Sequence, residues 1–83
     1  MTIKTLLVAN RGEIARRIFR TAKSMGIACI AVYTDADSNE PFVKEADKAI
    51  RLSTNYLDKK EIIDAARRTG SDAIHPGYGF LSE

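Results

Sequence analysis

The sequence predicts an α/β fold built on a parallel sheet, on three observations. Apolar segments alternate between strand-like runs and helix-like stripes along the 83 residues. The strand candidates are continuously apolar rather than alternating, as in Leu6-Leu7-Val8-Ala9, which is the signature of a strand covered on both faces. Each helix candidate sits between two strand candidates, and that order calls for right-handed crossovers. The common doubly wound arrangement then gives a Rossmann-like sheet with flanking helices and strands in the order 3-2-1-4.

Taken in order, Ile3 to Ala9 reads as the first strand and Asn10-Arg11-Gly12 as a turn. Ile14, Ala15, Ile18, Phe19, Ala22 and Met25 recur at helical spacing, and Arg16, Arg17, Arg20 and Lys23 lie largely outside that stripe. Gly26 suits the helix stop. Ile27 to Tyr33 is a second buried strand, followed by a polar loop from Thr34 to Asn39. Pro41 fits the first turn of a short helix holding Phe42, Val43 and Ala46. Ala49 to Leu52 is the third strand. Asp58 is placed as an N-cap, with Glu61 at the third helical position of a capping-box variant and Leu57 and Ile62 as a hydrophobic staple. Ile62, Ile63, Ala65 and Ala66 give that helix its apolar face. Arg67 and Arg68 suit its dipole and Gly70 its C-cap. Ala73-Ile74-His75 is a fourth strand, leading into the turn Pro76-Gly77-Tyr78-Gly79. Leu81-Ser82-Glu83 resembles the entry to another helix with Ser82 as N-cap, so the 83 residues are expected to be the front part of a longer molecule.

Composition excludes several classes. The longest apolar runs fall far short of the roughly 20 residues that cross a bilayer, and no signal-peptide pattern opens the chain. A net charge of +2 is too balanced to argue for nucleic acid. The single cysteine, Cys29, lies in an apolar run and reads as a buried structural thiol.

The predicted topology places the reversal of strand order between the first and fourth strands, where ligands of such sheets bind. Asn10 to Glu13 and Pro76 to Gly79 should therefore be neighbours. The first loop opens a helix N-terminus, where it is either a tight turn or an anion site to which Arg11 adds a fork of donors. Gly12 alone does not make a dinucleotide fingerprint, and Glu13 brings a negative charge that complements the helix dipole. Asp35 and Asp37 read as solvated loop carboxylates. His75, the only histidine, reads as a satisfied structural residue at a strand end. Gly77 and Gly79 permit close backbone approach, and Tyr78 between them can pack on a planar ligand or sit half-buried in an ordinary glycine turn.

Val8-Ala9-Asn10-Arg11-Gly12-Glu13-Ile14-Ala15-Arg16-Arg17 and Ala73-Ile74-His75-Pro76-Gly77-Tyr78-Gly79-Phe80-Leu81-Ser82-Glu83 resemble, in the right order, the two signature segments of the biotin carboxylase family. Ala31-Val32-Tyr33 and Asp35-Ala36-Asp37 between them are similar to the family too, while the stretch from Ser53 to Tyr56 looks trimmed relative to many relatives. The resemblance covers essentially the whole chain and implies the N-terminal α/β domain that precedes an ATP-grasp domain and a C-terminal domain. It implies ATP-driven activation of bicarbonate to carboxyphosphate and transfer of the carboxyl group to biotin on a biotin carboxyl carrier protein, with Mg2+ as cofactor. The family's ATP, magnesium and bicarbonate ligands and its base lie downstream, so no catalytic residue is assigned here and the chain alone is expected to be inactive.

By the same resemblance Tyr78 and Gly79 pack beside the biotin ring. Asn10, Arg11, Gly12 and Glu13 shape the active-site floor, with His75 and Gly77 on the facing loop. Arg17 and Arg20 fall on the face similar to the family's subunit-dimer contact. A cytoplasmic location is expected, or the mitochondrial matrix in a eukaryote. The alternative is a free-standing, non-catalytic α/β module that pairs with a carboxylase. A minimal nucleotide-binding domain is disfavoured by the missing glycines.

Overall fold

The computed structural model describes residues 2–77, and Tyr78, Gly79 and the expected helix entry at Ser82 lie outside the described residues. Strands β1 (Thr5–Val8), β2 (Ala28–Tyr33), β3 (Lys48–Arg51) and β4 (Ala73–His75) alternate with helices α1 (Gly12–Ser24), α2 (Pro41–Glu45) and α3 (Lys59–Thr69). A 3-10 turn, Asp35–Asp37, interrupts the loop expected after β2. The four strands pair in parallel in the order β3-β2-β1-β4. Leu7 stands between Ile30 and Ile74 in the register.

The continuous apolar runs feed two cores, because successive strand residues point to opposite faces. Leu7, Ile30 and Val32 pack with Leu52, Tyr56, Ile62, Ala65 and Ala66 on the α3 side. Val8, Cys29 and Ala31 pack with Ala15, Phe19, Ala22 and Phe42 on the side of α1 and α2. Phe19 and Phe42 are fully buried there, each contributing about 1.5–3 kcal/mol by leaving water. Phe42 is delivered by a helix of only five residues that Pro41 starts.

The ends of the elements depart from the sequence reading. β1 and β2 are shorter than their apolar runs, β3 starts and ends one residue earlier than expected, β4 matches, and Ala46 lies just past α2. Met25, placed on the buried stripe of α1, is 68% exposed because the helix has already ended at Ser24. Ile63 is 47% exposed, so the apolar face of α3 is narrower than expected. Asp58 caps α3 by accepting from the Glu61 backbone N–H at 3.1 Å. Leu57 is 60% exposed and does not complete a staple over the buried Ile62. Gly70 ends α3 in the left-handed conformation, φ 67°, that a C-cap glycine supplies.

Candidate functional site

The sheet order reverses between β1 and β4, and the loops that leave these strands meet there. Val8 is paired with His75, and the Ala9 N–H donates to the His75 carbonyl at 2.9 Å. Asn10 follows, 2% exposed. Its Nδ2 donates to the Pro76 carbonyl at 2.7 Å, and its Oδ1 accepts the Arg11 N–H at 2.8 Å. A single carboxamide thus ties the two signature loops together.

Gly77 explains why no side chain intrudes. Its φ is +68°, and a Cβ built there would stand 2.8 Å from Asn10 Nδ2 and 2.9 Å from Ile14 Cγ2. Only glycine gives both the left-handed backbone and the space. The Gly77 N–H donates to His75 Nδ1 at 3.0 Å, so the exposed imidazole also holds the turn. The imidazole is engaged within the turn itself rather than in the core.

Arg11 corrects one expectation. Its guanidinium does not offer its fork to an external anion. Nε and Nη2 each donate at 2.7 Å to the two oxygens of Asp37, 26 residues away. Asp37 corrects another, since it is 6% exposed rather than solvated. Its Oδ2 also accepts the Tyr56 hydroxyl at 2.6 Å, and that hydroxyl accepts the Thr34 N–H at 3.3 Å. The charge-assisted bonds from Arg11 hold the Asp37 carboxyl below the usual carboxylate range, against the opposing cost of burial. Burial, with the Asp37 bond second, pushes the Tyr56 hydroxyl up. Asp35 is exposed as expected but pairs with Arg51, Nε to Oδ1 at 2.6 Å.

The basic flank of α1 is also less open than its charge suggests. Arg16 forks onto Glu45 at 2.8 and 3.0 Å and reaches Glu13 at 3.1 Å. Arg20 leans on Glu13 at 3.4 Å, and Lys23 Nζ donates to the Glu45 carbonyl. The contacts to Glu45 seam α1 to α2, and those to Glu13 stay within α1. Arg17 is exposed and lines a groove of about 570 Å³, floored by Leu6, Ile14, Ile18 and Ile27 and reaching His75 and Gly77.

Tyr56 and Glu45 escaped the sequence reading, and Asp37 entered it only as a solvated carboxylate. Asp37 and Tyr56 stand 26 and 19 residues from the partners they bind, and no local spacing marks them. Among the described residues no cluster of three or more His, Cys, Asp or Glu side chains is placed to hold a metal ion. The site is a pair of loops in close backbone contact, braced from behind by an ion pair.

Such a junction, at the carboxyl ends of two adjacent parallel strands where the order reverses, defines a doubly wound α/β domain whose ligand-facing surface is built from loops. The chain belongs to the biotin carboxylase N-terminal domain family, whose profile matches residues 2–83. It is 57% identical over 86 residues to the mitochondrial methylcrotonoyl-CoA carboxylase subunit alpha of Arabidopsis thaliana, covering 98% of this chain and 12% of the relative. It is 56% identical over 85 residues to a putative urea carboxylase of Emericella nidulans, covering 98% of this chain and 7% of the relative. Among solved structures, the biotin carboxylase domain dimer of Hydrogenobacter thermophilus 2-oxoglutarate carboxylase, in complex with ADP, magnesium and bicarbonate, superposes with a TM-score of 0.94. That match has 45% identity and covers 99% of this chain and 19% of that one. Pyruvate carboxylase of Rhizobium etli matches with a TM-score of 0.94 at 37% identity, covering 98% of this chain and 9% of that one. The chain therefore spans about an eighth or less of the length of these curated relatives.

Proposed function

We propose that this chain supplies the biotin-side floor of a biotin carboxylase active site, in an enzyme that uses ATP and bicarbonate to carboxylate biotin on a carrier protein. The observation that carries the reading is the Asn10–Pro76 hydrogen bond, which brings both signature loops to one point at the sheet's reversal. Asn10, Arg11, Gly12 and Glu13 form the floor, and His75 and Gly77 begin the facing loop. Tyr78 and Gly79, next in the sequence, are assigned to the biotin ring, where a flat aromatic beside a glycine suits a planar ureido group.

Nothing in this arrangement performs the phosphoryl chemistry. Nucleotide, magnesium and bicarbonate are assigned to the ATP-grasp and C-terminal parts of the enzyme, so the chain alone binds none of them tightly and turns over no substrate. The chain's own residues orient the acceptor. The Asn10 carboxamide sets the path of the facing loop, Gly77 keeps that path free of side chains, and the Arg11–Asp37 pair holds the floor in place. Arg17 and Arg20 are assigned to a homodimer contact, which the exposure of both side chains permits. The names of several relatives place them in mitochondria, which supports the matrix as the compartment if the source is a eukaryote, and the cytoplasm otherwise.

Steady-state carboxylation of free biotin by the intact carboxylase containing this chain tests the reading, with ADP release as the readout. Tyr78→Ala should raise the KM for biotin roughly fivefold to tenfold, the worth of one aromatic contact, and leave the KM for ATP unchanged. An unchanged biotin KM, or ADP release indifferent to biotin, contradicts it.

A further inference from the structure

We propose that Asp37 is a positioning residue for the biotin-side loop, acting through Arg11 and Asn10 and touching no substrate itself. The inference rests on the preceding assignment of the loop after β4 to biotin.

A continuous run of short polar contacts links the two. The Tyr56 hydroxyl, from the loop before α3, donates to Asp37 at 2.6 Å. Asp37 takes both arms of the Arg11 fork at 2.7 Å. The backbone N–H of that same Arg11 donates to Asn10 Oδ1 at 2.8 Å. This last bond suits the way the carboxamide faces, since its oxygen takes the Arg11 N–H while Nδ2 meets the Pro76 carbonyl, 2.7 Å away. Gly77 then lies so close to Asn10 that a Cβ would reach Nδ2 at 2.8 Å. A shift of Arg11 therefore turns or displaces Asn10, and the loop against Asn10 has no slack.

The chemistry of Asp37 fits placement rather than catalysis. Both carboxylate oxygens are engaged, and the residue is 6% exposed. A well-packed apolar cluster is often as stabilising as a buried ion pair. What the pair adds is direction: a bidentate fork fixes the plane and position of the Arg11 guanidinium, which narrows where the Arg11 backbone can sit, where apolar contact leaves it freer. Arg11 and Asn10 lie in the turn after β1 and Asn10 reaches the Pro76 carbonyl, so what Asp37 directs is the geometry of the two loops.

The intact carboxylase containing this chain, assayed with free biotin, ATP and bicarbonate, provides the test. Asp37→Asn keeps the shape and the Tyr56 partner but loses the charge that holds Arg11. It should raise the biotin KM about threefold to tenfold, leave the ATP KM unchanged and hold kcat within about twofold. Tyr56→Phe removes one bond to Asp37 and should raise the biotin KM about twofold, which settles the matter if Asp37→Asn fails to fold. Asn10→Ser combined with Asp37→Asn should be no worse than the larger single effect, because both cut the same relay. An unchanged biotin KM beside a lowered melting temperature overturns the proposal, as do equal rises in the two KM values or single effects that multiply. A wild-type enzyme with no biotin-dependent turnover overturns the underlying assignment and this inference with it. A wild-type enzyme that is active while Asp37→Asn and Tyr56→Phe keep its biotin KM overturns the inference alone.

Discussion

Asp37 and Glu61 are both clasped carboxylates at the carboxyl end of the sheet, and their partners come from opposite kinds of place. Glu61, in the first turn of α3, accepts the backbone N–H groups of Ser53 and Thr54 at 2.9–3.2 Å and both hydroxyls at 2.6 and 2.9 Å. All its partners lie within eight residues. It closes one loop onto one helix. Asp37 joins three segments that only the fold brings together, through Arg11, Tyr56 and the turn after β2. The local knot shapes a connection, whereas the non-local knot fixes the relative placement of strand ends. The second is what a site made of two loops requires.

The largest stability effect should come from closing the space that the non-local side leaves open. Gly77→Ala imposes a positive φ on an L residue and drives a Cβ into Asn10 and Ile14. It should cost about 2–4 kcal/mol, read as a lower urea midpoint with circular dichroism as probe. Next, Asp37→Ala removes the acceptor of the Tyr56 O–H and of the Arg11 fork. Because the Arg11 side chain is 45% exposed, water repairs part of the loss, and about 1–3 kcal/mol is expected in the same measurement. A cost equal to that of an ordinary surface change would erase the distinction between the two knots.

Acid should strain both knots in the same direction. Hydrogen bonds from Ser53 and Thr54 bring the Glu61 carboxyl from its ordinary 4.5 down to about 2. Its folded value lies below its unfolded one, so its stabilisation is complete above pH 4.5 and drains away as pH falls from there toward 2. The Asp37 carboxyl, also lowered, follows the same sign below its ordinary value of 3.8. Urea midpoints measured against pH should fall through this window, and Glu61→Gln should flatten part of the slope. A midpoint that rises on acidification contradicts the account. The smallest effect belongs to Leu57, whose exposure predicts that Leu57→Ala stays within about 0.5 kcal/mol. A larger loss would restore the staple that the structure lacks.

This contrast also explains what was legible beforehand. Asp58 and Gly70 were readable because caps depend on residues within a turn of one another. Strand order was readable because continuous apolar runs and intervening helices leave few topologies. The neighbourhood of the Asn10 and Pro76 loops followed from that order alone. Glu61 was placed correctly on α3 and given the wrong partner, since the capping pattern points to the Asp58 backbone and the carboxylate instead serves the preceding loop. A carboxylate in a polar loop is ordinarily solvated, and Asp37 departs from that expectation. Its burial depends on an arginine 26 residues earlier and a tyrosine 19 residues later, which no periodicity connects. The exposed Met25 and Ile63 show the complementary failure, in which helical spacing continues past the surface that the sheet can cover.

Hydrogen exchange by mass spectrometry on the intact carboxylase compares the two knots most directly, following the amides of segment 73–77 in Asp37→Asn and in Glu61→Gln. The account predicts faster exchange there in Asp37→Asn, with Gly77 among the affected amides, and wild-type rates in Glu61→Gln, whose changes stay near residues 53–61. Wild-type rates at 73–77 in Asp37→Asn, or equal acceleration in both variants, would contradict the claim that the Arg11–Asp37 ion pair holds the two loops in register.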